Sequence, residues 1–435
     1  MGWPPRTYLR AVSPHFELLS RADRATTLQT AQHLERVYAL WSQVFYRIWD
    51  RPGALAERMQ DGAVAPTQRQ RMRVYLLADR AAYLETLGVA EQNIGLSVGY
   101  YHPQRRMSFF YPAAGWEETL VHELTHQMFI EVAGGDPETG NHHGIWLVEG
   151  VALYMESLFS HGTYWTVGGI DAERVQTARY RGVRDGFWPA WAEFHAGGLD
   201  AWKQSPDVAR FYSHAIGLTH VFLDRMGAAT KRVFLDRLRA TYHEGASTAP
   251  LLAVLGDDEP TARNRYQDLL VLQDDDIRML HRIQARPQDL VACGSQLSPG
   301  TWNQVGEIAV KCQWLDLSFT NASDADLTWL DRLQHLRRLS LEGTRAGKRS
   351  IALAASLRQI EDLDLTGCPI DDDVLLPLAH HPTLQTLWLG QTRIGPAALQ
   401  TLRTIPRLTR CDLTGTAISQ SEIDAFQQFL ANRAQ

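Results

Sequence analysis

The residues best suited to chemistry are His122, Glu123 and His126, spaced as His122-Glu-Leu-Thr-His126. They lie in Trp116–Val132, a stretch of good helix formers without Gly or Pro. Side chains four apart on a helix share a face, so the two imidazoles aim at one point. Two neutral imidazole nitrogens at that spacing suit zinc. A glutamate directly after the first histidine is placed to act as general base on a metal-activated water. The plain alternative is two surface histidines on an amphipathic helix, which leaves the rest of the arrangement below without a task.

A catalytic zinc site needs a third protein ligand and an open position. The next apolar helical stretch is Ile145–Glu156, and it carries Glu149 near its start. A carboxylate in so apolar a context is costly unless paired or ligated, which makes Glu149 the expected third ligand. A solvated first-turn glutamate favoured by the helix dipole is the bland reading. The rival ligands are His142 and His143 in the preceding polar loop. Another zinc class carries Gly and His where this chain has Phe129 and Val132, so that pattern is absent. A further helix, Val208–Leu223, offers Tyr212 and His214 as donors to an oxyanion. The two are two positions apart and so point in different directions. His220 reads as a core residue.

These residues need a frame. Residues 1–12 read as an irregular lead-in. His15–Ser20 and Met72–Leu77 read as strands. Between them runs a long helix with Leu34, Val37, Tyr38, Trp41, Val44, Phe45 and Ile48 at steps of three and four, stopped by Pro52-Gly53. Asp79 caps a short helix to Leu87. Gly95–Tyr101 and Met107–Tyr111 form a hairpin around His102-Pro103. Either hairpin strand is a candidate edge for pairing with an extended substrate. The sheet part thus spans about 13–115 and the helical part about 116–285. Residues 160–200 are rich in Trp and Gly and read as a lid or, more simply, as core aromatics.

From about 286 to 435 the pattern changes to a repeat. Leu315-Asp-Leu317, Leu339-Ser-Leu341, Leu363-Asp-Leu365, Leu387-Trp-Leu389 and Cys411-Asp-Leu413 recur at a constant spacing. Thr320, Thr344, Cys368, Thr392 and Thr416 follow each pair at a fixed offset. This is a leucine-rich-repeat period, one short strand, turn and helix per unit. Gln420–Leu430 reads as a capping helix.

Length and composition set the bounds. A chain of 435 residues is too long for one core. A hydrophobic content of 45% with 21% charged residues fits a globular protein, and a net charge of −6 argues against a nucleic-acid partner. No apolar run is long enough for a membrane span. The four cysteines form no CxxC pair. No apolar segment follows the N-terminus, so the compartment expected for the sequence as given is cytoplasmic; a trimmed leader would make it periplasmic or secreted.

Taken together, His122-Glu-Leu-Thr-His126, Trp146-Leu-Val-Glu149-Gly150-Val-Ala152-Leu-Tyr154 and Tyr212–Leu223 resemble the gluzincin metallopeptidases, in particular bacterial peptidase MA-like proteins. The resemblance covers roughly 13–285. It implies an α+β fold, with a thermolysin-like zincin domain followed here by an α/β leucine-rich-repeat solenoid. It implies one Zn2+ per chain held by His122, His126 and Glu149, with Glu123 as base and Tyr212 rather than His214 as transition-state donor. Thermolysin-like members carry an acid four residues after the third ligand, where this chain has Leu153. The carboxylate that orients a histidine must then come from elsewhere, with Glu156 and Glu118 as candidates. No glycine-rich exopeptidase signature precedes the helix. The expected function is therefore a zinc endopeptidase acting on a protein or peptide substrate, with a protein partner on the concave face of the repeats. The alternative is a binding scaffold in which the repeats work and the zinc domain is structural.

Overall fold

The protein is described from a computed structural model, which covers residues 3–4, 6–49, 70–88, 94–243 and 251–434. The helix stop expected at Pro52-Gly53 lies outside these residues. The fold mixes helices with several sheets. Among the described residues no helix is long and apolar enough to cross a membrane. The chain divides into two units, Met1–Gly169 with Trp188–Arg265 and Ile170–Phe187 with Tyr266–Gln435. The edge expected near 285 thus falls inside the second unit.

The first unit is built on a five-stranded sheet of β1 (Leu9–Val12), β2 (Phe16–Ser20), β3 (Met72–Leu76), β4 (Gly99–His102) and β5 (Met107–Phe110), in the order β1-β2-β3-β5-β4. β2, β3 and β5 run parallel, in the register Glu17–Arg73–Met107, while β1 and β4 are antiparallel to their neighbours. β1 corrects the expectation of an irregular lead-in. Its residues are largely exposed, so the apolar alternation that marks a half-buried strand is missing. β5 is interior, which leaves β4 as the outer strand of the hairpin among the described residues.

Phe16, Leu18, Val74, Leu76, Ser108 and Phe110 are buried. By the strand period they share the sheet face on which α1 (Arg24–Val44) and the helix of the histidine pair pack. α1 begins at Asp23, whose carboxylate accepts from Thr26 N at 2.9 Å. A second helix, α2 (Arg80–Leu87), is capped in the same way by Asp79. α3 (Trp116–Glu131) meets α1 through Phe129, edge-on to Trp41 and Phe45. The buried Gln127 ties α3 to the sheet, accepting from Ser108 Oγ and donating to Arg73 O.

α4 (Ile145–Glu156) follows, and α3 and α4 each start behind a left-handed glycine, Gly115 (φ 73°) and Gly144 (φ 70°). α4 leads into a small hairpin, β6 (Phe159–Ser160) with β7 (Trp165–Thr166). α5 (Val208–His220) crosses α4 at Gly150. A Cβ there would lie 3.0 Å from Ala215 O and collide with Thr219 Oγ1. Glycine beside Glu149 is therefore what lets α5 approach. α6 (Ala228–His243) stacks Tyr242 on Phe129, with ring centroids 4.6 Å apart. Trp191 and Trp202 are buried, and Trp188 stacks on Trp191. They pack as core aromatics, the simpler of the two expectations.

The second unit holds six parallel strands in chain order: β8 (Asp289–Val291), β9 (Trp314–Asp316), β10 (Arg338–Ser340), β11 (Asp362–Asp364), β12 (Thr386–Trp388) and β13 (Arg410–Asp412). Leu315, Leu339, Leu363, Leu387 and Cys411 stand in register, so one repeat of the sequence becomes one step across the sheet. Each leucine is buried, worth about 1.5–3 kcal/mol relative to exposure. The offset position closes the turn. Thr320, Thr344, Thr392 and Thr416 each donate to the carbonyl three residues earlier, and Cys368 Sγ donates to Leu341 O. All four cysteines are buried and unbridged. The final helix, Gln420–Ala434, buries Phe426 and Leu430.

A segment from mid-chain completes this unit. The helix Glu173–Arg179 brings Arg179 into the interior. There its guanidinium donates to Leu270 O, Val291 O, Ile170 O and Gln176 Oε1. Tyr180 packs edge-on against Trp314. Arg184 reaches the polar face of the sheet, pairing with Asp364 at 3.0 Å and with Glu342, and lying 3.7 Å from Asp316.

Candidate metal centre

α3 presents His122 and His126 one turn apart, their ring centroids separated by 4.9 Å. α4 brings Glu149 against them. His122 Nε2 lies 3.3 Å from Glu149 Oε2, and His126 Nε2 lies 3.9 Å from Glu149 Oε1. The three ligand atoms all fall within 4.8 Å of one another, and among the described residues this is the one such group of histidine, cysteine or carboxylate side chains. Ligand atoms about 2.0–2.2 Å from a tetrahedral ion stand about 3.3 Å apart, so this donor set fits zinc with small adjustments. The set is two nitrogens and one carboxylate oxygen, which leaves a position open.

The electrostatics reflect burial against pairing. Burial alone would lower His122, but its hydrogen bonds with Glu149 and Glu156 outweigh it and raise the group to about 10. Burial takes His126 down to about 4, against the pull of Glu149. Burial would raise Glu149, yet the bond from His122 and the charge of both histidines hold it below its ordinary value.

Glu123 points to the edge strand. Tyr101 N, on β4, donates to its Oε2 at 2.8 Å. Burial raises Glu123 to about 7, opposed by the charge of His122 and the Tyr101 bond. The other nitrogen of His122, Nδ1, lies 3.1 Å from Glu156 Oε2. Glu156 follows Glu149 by seven positions, two turns on the same face. Of the two carboxylates considered for this task, it is the one in place. Glu118 is exposed in the first turn of α3.

Tyr212, on α5, is half-buried, and its hydroxyl is kept protonated first by the charge of Glu149, then by burial and by Glu123. Its ring packs edge-on to Trp202. His214 packs edge-on to Trp188 and Phe194, and burial lowers it to about 3. His142 and His143 lie in the loop before Gly144 and are not part of the ligand group. His220 is buried and bonded to Gly168 O and Asp224. Tyr101 and Tyr242 are not among the residues expected from the sequence. Tyr101 acts through its backbone, which leaves no residue-type signal. Tyr242 is buried, and its hydroxyl is pushed well up by burial and then by Glu149. A cavity of about 580 Å³ reaches Glu156 but none of the three ligands.

No family model matches this sequence, and no protein of the curated set matches it.

Proposed function

We propose that the chain is a zinc-dependent peptidase, with a thermolysin-like zincin domain and leucine-rich repeats. The observation that carries this reading is the convergence of His122, His126 and Glu149 with Glu123 beside them, oriented by the edge strand. When bound, the ion would supply Lewis acidity to a water and a substrate carbonyl. Glu123 takes the proton of the attacking water and delivers it to the leaving amine. Tyr212 donates to the developing oxyanion. Glu156 fixes the tautomer of His122 by accepting its Nδ1–H. β4 is the sheet edge beside the base, with Tyr101 N–H held by Glu123, and an extended substrate would pair with the remaining groups of that edge, which favours internal cleavage of a protein chain.

The repeats select that substrate or a regulator on their concave face, raising its local concentration. The chain's own Arg184 already pairs with Asp364 and Glu342 on this face. The partner is therefore read by the part around Trp388 and Asp412, both half-buried, and exposed Arg410.

The test is Glu123→Gln. It should retain zinc and lose cleavage by about 10²–10⁴-fold, and the inactive protein should trap its substrate for identification. Glu149→Ala should lose zinc. Cleavage surviving in Glu123→Gln overturns the reading. Zinc held without cleavage of any trapped partner favours the scaffold alternative instead.

A further inference from the structure

The first unit holds a second concentration of charge, at the end of its sheet where β3 begins and the β4–β5 turn closes. A cavity of about 590 Å³ lies there, lined by Arg10, Arg71, Arg73, Arg105 and Arg106, with Glu17 and Glu131 as its acids. Five guanidiniums against two carboxylates leave a local surplus of three positive charges on a chain whose net charge is −6. Like charges held together repel unless something answers them.

Two of the arginines are pre-set. Arg10 pairs with Glu17 at 2.7 Å, and Arg71 Nε donates to Ser13 O at 2.7 Å. Arg73, Arg105 and Arg106 form no ion pair among the described residues. Arg106 also has φ +53°, the left-handed region that favours glycine, at the close of the Pro103–Arg106 turn. The chain keeps a guanidinium at a position where glycine would relax the backbone.

We propose that this cavity binds a small anion carrying two or more phosphoryl groups. Its volume is that of a small-molecule site. Guanidinium forks match phosphoryl oxygens two at a time, and several forks facing one cavity match adjacent phosphoryl groups. The surplus of three charges suits a diphosphate better than a single carboxylate. No ligand of the metal centre lines the cavity, so the assignment stands apart from the peptidase reading. One residue joins the two places. Tyr101 donates its backbone N–H to Glu123 and its hydroxyl to Glu131, a wall of the cavity, at 3.4 Å.

The test is calorimetric titration of the full-length protein with inorganic diphosphate, orthophosphate and a hexaglutamate peptide at one ionic strength. The expected result is a single saturable site that prefers diphosphate to orthophosphate by about ten-fold or more. Arg73→Gln and Arg106→Gln should each weaken it by about ten-fold or more, with zinc content and thermal unfolding unchanged. Arg105→Gln serves if either variant fails to fold. Absence of saturable diphosphate binding, or equal affinity in the variants, overturns the proposal. So does tighter binding of hexaglutamate, which would mark an acidic polypeptide site instead.

Discussion

Glu156 stands two turns beyond Glu149 on one helix, and its Oε2 lies 3.1 Å from Nδ1 of His122, while Glu149 meets the opposite ring nitrogen at 3.3 Å. One helix thus grips a single imidazole from both sides. A carboxylate on the far nitrogen fixes the tautomer and strengthens the ligand.

Glu156→Ala should therefore weaken zinc binding by about 10–100-fold, read by competition with a chromophoric chelator. Glu156→Gln can still accept the Nδ1–H and should lose less. Glu118→Gln, exposed in the first turn of α3, should match the parent. Equal affinity in all three would remove Glu156 from the centre.

Tyr212→Phe should retain zinc and lower kcat by about 10²-fold with little change in KM, as for loss of one oxyanion donor. His214 sits among Trp188 and Phe194. His214→Asn should cost stability and leave the rate per folded molecule intact. A larger rate effect from His214 than from Tyr212 would reverse the assignment.

Glu35 gives a pH dependence with a definite sign. It accepts from Ser13 Oγ at 2.5 Å, from His15 N at 2.9 Å and lies 2.6 Å from His15 Nδ1. Burial alone would raise this carboxyl, but these bonds hold it below its usual 4.5. Its stabilisation is present above the unfolded value and is lost as pH falls through the lower folded one. Glu35→Gln should cost about 1–2 kcal/mol at pH 7, and the gap from the parent should close in acid below 4.5. Thermal unfolding from pH 7 to 3 measures both. A gap that stays constant would remove Glu35 as the cause.

Arg184→Ala should destabilise the second unit by about 3 kcal/mol, because it strands Asp316 without a counter-charge. Asp316 is 1% exposed, and Glu342 and Asp364 stand near the same guanidinium. Adding Asp316→Ala should recover part of the loss in chemical denaturation. A double variant no more stable than Arg184→Ala would show that the acid is harmless alone.

What is legible in the sequence is mainly what depends on spacing within one element. His122 and His126 share a face by the helical period, and Leu315 to Cys411 by the repeat period, so both groupings are legible. Relationships between elements are legible only where chemistry singles out one residue, as the apolar setting of Glu149 does. Glu156 and Glu118 are equally good carboxylates until the crossing of α3 and α4 is known. The hairpin of β4 and β5 was visible, but which strand is the edge depends on β3 inserting beside β5. Arg184 is one of many arginines in the sequence, and its partners Asp316, Glu342 and Asp364 all lie in repeats far downstream. No periodicity carries information over that distance.

The second unit's use of Ile170–Phe187 bears on how the chain is made. Arg184 emerges from the ribosome 180 residues before Asp364, and Arg179 emerges 91 before Leu270 and 112 before Val291. During that interval Arg179 and Arg184 lack the downstream partners that answer them, while the chain before them is already free to collapse. Synthesis that stops at Arg265 never relieves this state. The repeats thus complete a stretch of chain translated long before them, and a protein cut short at Arg265 should call on chaperones that the whole chain can leave behind.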